Sequence, residues 1–220
     1  MIEDLPDTKV VEKYKIIECF EFNNKNVDFD TMPVGDLLKM REVVNIVNNE
    51  FPGAVFVGGI ALRIWADVLG KSIPRDYGKD VDITKSGQTN YEVDKNTSAG
   101  WVDIFPIYYP KEEPFFTNII YNEENIEIAT IPHLFAQKLY SVRKMINESG
   151  KVMEKDLVYI ESLQQMLDID QWHIYLESLK THRPDISNDN IRDFELNINA
   201  DINKCILSDN ISEKVHPDNL

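Results

Sequence analysis

Val55-Phe56-Val57-Gly58-Gly59-Ile60-Ala61-Leu62 is the stretch on which the fold of this chain turns. The apolar run Ala54 to Val57 meets a glycine pair, and beyond it Ala61, Ile64, Trp65 and Val68 recur on one helical face. A short apolar run bounded by turn residues predicts a buried strand, and the period near 3.6 predicts a helix over 60–69 that Gly70 closes. Glycine at such a junction lets the backbone take a positive φ and approach a ligand closely. The helix N-terminus adds unpaired N–H groups and a partial positive charge, which suit a phosphate. Taken alone, a glycine pair before a helix is more often a tight turn than a binding site.

Working outward, Lys79-Asp80-Val81-Asp82-Ile83 predicts a strand over 80–84. Residues i and i+2 of a strand share a face, so Asp80 and Asp82 converge while Val81 and Ile83 point to the core. Paired carboxylates repel unless a cation lies between them, and Mg²⁺ prefers one or two carboxylates plus phosphate oxygens and water. An isolated Asp-x-Asp is more often the exposed face of an edge strand. A third carboxylate, Asp103, stands inside the apolar strand Trp101 to Ile107, with Val102, Ile104 and Pro106 on one side. A lone aspartate there needs a partner, a hydrogen bond or a metal. Two-metal phosphoryl chemistry calls for such a carboxylate set, and Asp103 on a neighbouring strand completes it.

The remaining pattern predicts a helix over 34–51, an undecided strand or short helix over 14–22, and a strand pair around Asn122–Asn125. From Pro132 onward it is helical: 132–146, 152–168, 171–180 and 188–207. Fold class is therefore α+β: a mixed sheet module with flanking helices over 1–130 (1–33 unassigned), a helical region over 131–207 and a polar tail over 208–220. On a helical wheel Lys138 falls inside the apolar arc of its helix, between Leu134, Val142, Phe135 and Leu139, and Asp156 falls the same way on the next helix. A buried ammonium needs an anionic partner, so the two residues read as a pair, or as a pair that presents Lys138 to a phosphate; a lysine that snorkels to water is the competing reading.

Composition bounds the function. The chain has 220 residues, 43% of them hydrophobic and 28% charged, and a net charge of −15. No run of four basic residues occurs, which weighs against general nucleic-acid binding. The acidity suits a cationic or neutral small substrate, or serves solubility. Cys19 and Cys205 lack metal-ligand spacing and read as free thiols in a reducing compartment. No secretory signal and no membrane-length apolar run are found, so the expected location is cytoplasmic, with no membrane partner. His133, His173, His182 and His216 show no ligand spacing and read as structural or surface residues.

The combination of Val55–Leu62, Lys79–Ile83 and Val102–Ile104 resembles the nucleotidyltransferase superfamily with a polymerase-β-like fold. It is most like the bacterial branch that contains lincosamide- and aminoglycoside-type enzymes and toxins of abortive-infection systems. Ile131-Pro132-His133-Leu134-Phe135-Ala136-Gln137-Lys138 resembles that branch's lysine-bearing helix, and Glu154-Lys155-Asp156-Leu157 its Lys/Arg-Lys-Asp element. The likeness runs from Phe51 to Leu167. It implies a Mg²⁺-dependent transfer of an NMP from an NTP to an acceptor hydroxyl, with two ions on Asp80, Asp82 and Asp103. Asp103 would hold metal or act as the base. Gly58 and Gly59 would contact the triphosphate, with Lys138 nearby; Arg63 reads equally as a triphosphate-steering or a solvated charge, while Arg75, in a loop, is more often a solvated charge than a triphosphate-steering one. The acceptor is open: a small molecule is favoured, while an RNA or protein target would imply a toxin with an antitoxin partner. A non-catalytic nucleotide-binding module is the other class, and the three retained carboxylates argue against it. The faint Arg-Asp-Phe echo at Arg192–Phe194 of tRNA CCA-adding enzymes lies too far downstream and is read as chance.

Overall fold

The computed structural model describes residues 34–71, 81–149, 152–182 and 211–212. The expectations for 14–22, for Asp80 and Arg75, for the helix over 188–207 and for Cys19, Cys205 and His216 fall outside them.

Helix α1 (Val34–Glu50) buries Met40, Val44 and Val47, spaced four and three apart, and stops at the Phe51-Pro52-Gly53 turn. Strand β1 (Ala54–Phe56) is buried along its whole length, as its uninterrupted apolar run requires. Helix α2 (Gly58–Val68) begins two residues earlier than its apolar period, at the glycine pair itself, and turns Ile60, Ala61, Leu62, Ile64 and Ala66 inward. It closes through Gly70, whose φ is 61° and whose N–H donates to the Asp67 carbonyl at 3.2 Å.

Strands β2 (Val81–Lys85), β3 (Glu92–Thr97), β4 (Gly100–Pro106), β5 (Phe116–Tyr121) and β6 (Glu124–Ala129) complete a six-stranded mixed sheet in the order β3-β4-β2-β1-β6-β5. β2 runs parallel to β4 and β1 parallel to β6; the other neighbours are antiparallel. The sequence reading misses β3. Its run Glu92 to Thr97 is polar because it forms an edge with an exposed face, so it carries no apolar alternation, and its pairing with β4 supplies the structure. The turn of the second hairpin is shorter than the Asn122–Asn125 reading. Asn122 and Glu123 take φ of 50° and 70°, the two-residue turn that matches strand twist, and Glu124 already pairs with Tyr121.

Helices α3 (Ile131–Ser149), α4 (Glu154–Gln164) and α5 (Ile169–His182) follow. The single helix expected over 152–168 is corrected: Val152–Met153 is a short strand, β7, paired parallel with β8 (Ile211–Ser212), and the helix ends at Gln164. The backbone of Val152 and Met153 bonds to a distant strand, a partner that no local pattern announces. One buried cluster joins the sheet to the helices, from Val44 and Phe56 through Leu139 and Leu163 to Trp172 and Leu179.

His133 sits in this core among Tyr109, Phe115, Phe116 and Tyr175. The Gln137 amide nitrogen, 3.0 Å from Nε2, can only donate, so Nε2 accepts and the Nδ1–H faces the Tyr175 hydroxyl at 3.1 Å. Burial disfavours the imidazolium and pushes the His133 pKa down to about 3. The folded state thus binds fewer protons than the unfolded chain between pH 6.5 and 3, and stability falls as pH drops through that window. We expect His133 to cost about 2 kcal/mol of stability between pH 7 and pH 5. Urea unfolding across that range should show this slope in the wild type and a flatter one in His133→Asn.

Candidate active site

Strands β2 and β4 place Asp82 directly beside Asp103. Neighbours in parallel register project to the same face, about 4.8 Å apart between strands. The flanking residues Val81, Ile83, Val102 and Ile104 are all buried on the opposite face, so the alternation that makes the core also delivers both carboxylates to one partly exposed surface.

Asp103 is held by Tyr91, the residue that leads into β3, the strand absent from the sequence reading. The Tyr91 hydroxyl donates to Asp103 Oδ1 at 3.0 Å, and the Tyr91 ring lies 5.1 Å from Phe105. Trp101 and Phe105 share the face of Asp103 along β4 and are 62% and 37% exposed. Two exposed aromatics and a tyrosine thus border the carboxylate.

Asp82 is packed against the glycine pair. Its backbone carbonyl accepts from Val57 N–H at 3.0 Å, and its Oδ2 lies 3.4 Å from Gly59 N. Gly58 has φ of 58°, and a Cβ built on it would stand 2.0 Å from Asp82 Oδ2. The carboxylate therefore occupies the space that a side chain at position 58 would fill. Arg63 lies four residues beyond Gly59 on α2, on the same helical face, and is partly exposed.

Behind the turn stands a buried brace from the helical region. The Tyr159 hydroxyl donates to the Gly58 carbonyl at 2.6 Å. Lys138 pairs with Asp156 at 2.8 Å and lies 4.5 Å over the Tyr159 ring, so the two charges found on apolar helix faces do meet. Lys138 keeps 21% of its side chain exposed against 3% for Asp156, whose Oδ2 is buried without a hydrogen bond. Burial first, then the charges of Asp82 and Asp156, push the Tyr159 pKa far up, so the hydroxyl keeps its proton and remains a donor. The sequence reading does not single out Tyr159. Its spacing of three from Asp156 on one helix is the single local signal of its place.

The structure thus brings Asp82, Asp103, Gly58 and Gly59 together and sets Lys138 one layer behind, engaged with Asp156. Asp80 immediately precedes the first described residue of β2, and its convergence with Asp82 stays an expectation. Among the described residues no group of three His, Cys, Asp or Glu side chains is placed to hold a metal. The donor set is all carboxylate oxygen, partly open to solvent, with two like charges side by side, and this chemistry fits Mg²⁺. A separate cavity of about 700 Å³, bordered by Trp65, Leu69, Pro114, Ile119, Met166 and Ile174, does not include the carboxylates. No helix among the described residues is long and apolar enough to cross a membrane.

No protein-family model matches the chain. No curated protein matches it either. Three solved structures are similar to it. The antibiotic-resistance factor ANT(2'')-Ia aligns at 9% identity over 70% of this chain and 96% of its own, with a TM-score of 0.46. An antigenic nucleotidyltransferase-like protein from Paracoccidioides brasiliensis aligns at 14% identity over 67% and 90%, with a TM-score of 0.39. The lincosamide antibiotic adenylyltransferase LnuA, in its lincomycin-bound form, aligns at 13% identity over 63% and 100%, with a TM-score of 0.38.

Proposed function

We propose that this chain transfers an NMP from an NTP to a hydroxyl group of an acceptor and releases pyrophosphate, with Mg²⁺ as cofactor. The observation that carries this reading is the register pair Asp82 and Asp103 beside the left-handed turn at Gly58 that opens α2. Asp82 and Asp103, with Asp80, would hold the metal, which when bound supplies charge neutralisation for the triphosphate and the leaving pyrophosphate. The α2 N-terminus, with Gly59 and Arg63, binds and orients the triphosphate through close backbone approach and positive charge. Asp103 takes the proton of the acceptor hydroxyl, whose oxygen forms the new bond to the α-phosphorus as the bond to the β-phosphate's bridging oxygen breaks. Tyr91, bonded to one oxygen of Asp103, fixes that carboxylate towards the acceptor.

A small-molecule acceptor fits best. The net charge of −15 opposes a polyanionic acceptor, and Trp101, Phe105 and Tyr91 offer ring faces beside Asp103 on which a cyclic compound can lie. The six-stranded sheet with α2 carries the chemistry, and α3 and α4 back it.

The test is incubation with α-labelled NTPs, Mg²⁺ and separate pools of aminoglycosides, lincosamides, tRNA and protein. We expect label on a small-molecule pool and none with Asp80→Ala/Asp82→Ala. Label transfer that persists in that double variant would overturn the mechanism, and transfer to tRNA or protein alone would overturn the acceptor class.

A further inference from the structure

We infer that Tyr159 is a positioning residue for the triphosphate: from the helical region it fixes the Gly58 carbonyl and so holds the first turn of α2 in its ligand-facing geometry. The inference rests on the reading of the site as a nucleotidyl-transfer centre.

Gly58 is left-handed and opens the helix, so its peptide is turned out of the regular helical course. The N-cap residue, Val57, has no side chain that could cap this helix, and no acidic residue lies in the first turn. The restraint has to come from elsewhere, and two contacts supply it. The Tyr159 hydroxyl, 101 residues away, bonds the Gly58 carbonyl at 2.6 Å, and the Asp82 carboxylate fills the space beside Gly58. Tyr159 is itself restrained. Its residue is 3% exposed, and the Lys138 ammonium rests 4.5 Å over its ring while paired to Asp156 at 2.8 Å. An ammonium over a ring face holds the ring in place, and the carboxylate holds the ammonium. α3 and α4 are thereby tied to one backbone atom of the turn that carries the phosphate-facing amides. Lys138 acts here through the Tyr159 ring rather than through the triphosphate.

A hydroxyl that sets backbone geometry has a distinct signature. Tyr159→Phe keeps the ring, its packing and the Lys138 contact and removes one donor, so it leaves the fold in place and loosens one turn. The experiment uses the full chain, wild type and Tyr159→Phe. It combines amide hydrogen exchange over the first turn of α2 with calorimetric titration of Mn²⁺ alone and of Mn²⁺ complexes of the four α,β-methylene NTP analogues. We expect exchange across that turn to quicken, and affinity for the preferred Mn²⁺–NTP analogue to fall, each by about five- to tenfold, with Mn²⁺ affinity unchanged. Unchanged exchange overturns the inference. Faster exchange with unaltered nucleotide affinity also overturns it, because Tyr159 would then serve stability alone. A wild-type chain that binds none of the four analogues overturns the proposed function and this role together, whereas wild-type binding that Tyr159→Phe retains in full overturns only the role of Tyr159. If Tyr159→Phe fails to fold, Asp156→Asn carries the test: it weakens the hold on Lys138 and keeps the hydroxyl, and the same two readouts must shift in the same direction.

Discussion

Asp82→Asn should lower NMP transfer by about a thousandfold or more while leaving the chain folded. The substitution is isosteric and sits on a partly exposed sheet face, and the ladder bonds of β2 to β1 and β4 run through backbone atoms. The amide oxygen of asparagine can still accept from Gly59 N–H, as Asp82 Oδ2 is placed to do. What disappears is one of two adjacent negative charges. Without metal, that removal relieves repulsion from Asp103, so the thermal midpoint should stay level or rise slightly. With Mg²⁺ the order should reverse. A cation that binds only the folded state at a hundred times its dissociation constant stabilises by about 2.7 kcal/mol, and the variant should lose most of that gain. Scanning calorimetry of both proteins with and without Mg²⁺ separates the two effects. An equal response to Mg²⁺ in wild type and variant would show that Asp82 is no metal ligand, whatever happens to turnover.

The parts of this site that were legible in the sequence are those built by short-range alternation. Asp82 and Asp103 could be assigned to one face because Val81, Ile83, Val102 and Ile104 had to go to the other. The glycine pair marked the start of α2, although the helix starts at Gly58 rather than at its first apolar residue. Lys138 and Asp156 stood out because a charge inside an apolar arc needs an explanation, and the ion pair supplies it. The illegible parts depend on contacts between segments far apart in the chain. Tyr91 reaches Asp103 only because β3 pairs with β4, and β3 has a polar edge sequence with no period. Tyr159 looks like any buried aromatic until α4 brings its hydroxyl to a carbonyl 101 residues upstream. Val152 and Met153 leave the helical pattern for a strand partner at Ile211 and Ser212. In each case a tertiary contact overrides or adds to a local preference, and no window of sequence contains both partners.

Gly58→Ala should be more damaging than the same change at Gly53, Gly70, Gly87 or Gly100. Two separate penalties act at this position, and other glycines allow them to be told apart. The first is the left-handed conformation, φ of 58°, which costs a residue with a Cβ about 1–2 kcal/mol. Gly70 has nearly the same φ, 61°, and a Cβ there meets nothing within 4 Å, so Gly70→Ala measures the conformational cost by itself. The second penalty is collision: the new methyl would stand 2.0 Å from Oδ2, 2.7 Å from Cγ and 2.8 Å from Cβ of Asp82. Either the turn or the carboxylate has to move, and the carboxylate is the softer of the two because it is a side chain. Denaturant unfolding should therefore show a larger loss for Gly58→Ala than for Gly70→Ala, and pairing Gly58→Ala with Asp82→Ala should recover part of the difference. A coupling of about 0.5–3 kcal/mol is expected for two groups in such contact. Activity should behave differently. Displacing Asp82 by about 1 Å misplaces the proposed metal ligand, at a cost on the order of a hundredfold in rate, and removing the carboxylate cannot restore it. Stability rescued without activity in the double variant is the outcome that ties the glycine to the carboxylate. If Gly58→Ala loses no more stability than Gly70→Ala and keeps its turnover, then Asp82 does not stand where the left-handed turn leaves room for it, and the pairing at the centre of this site is wrong.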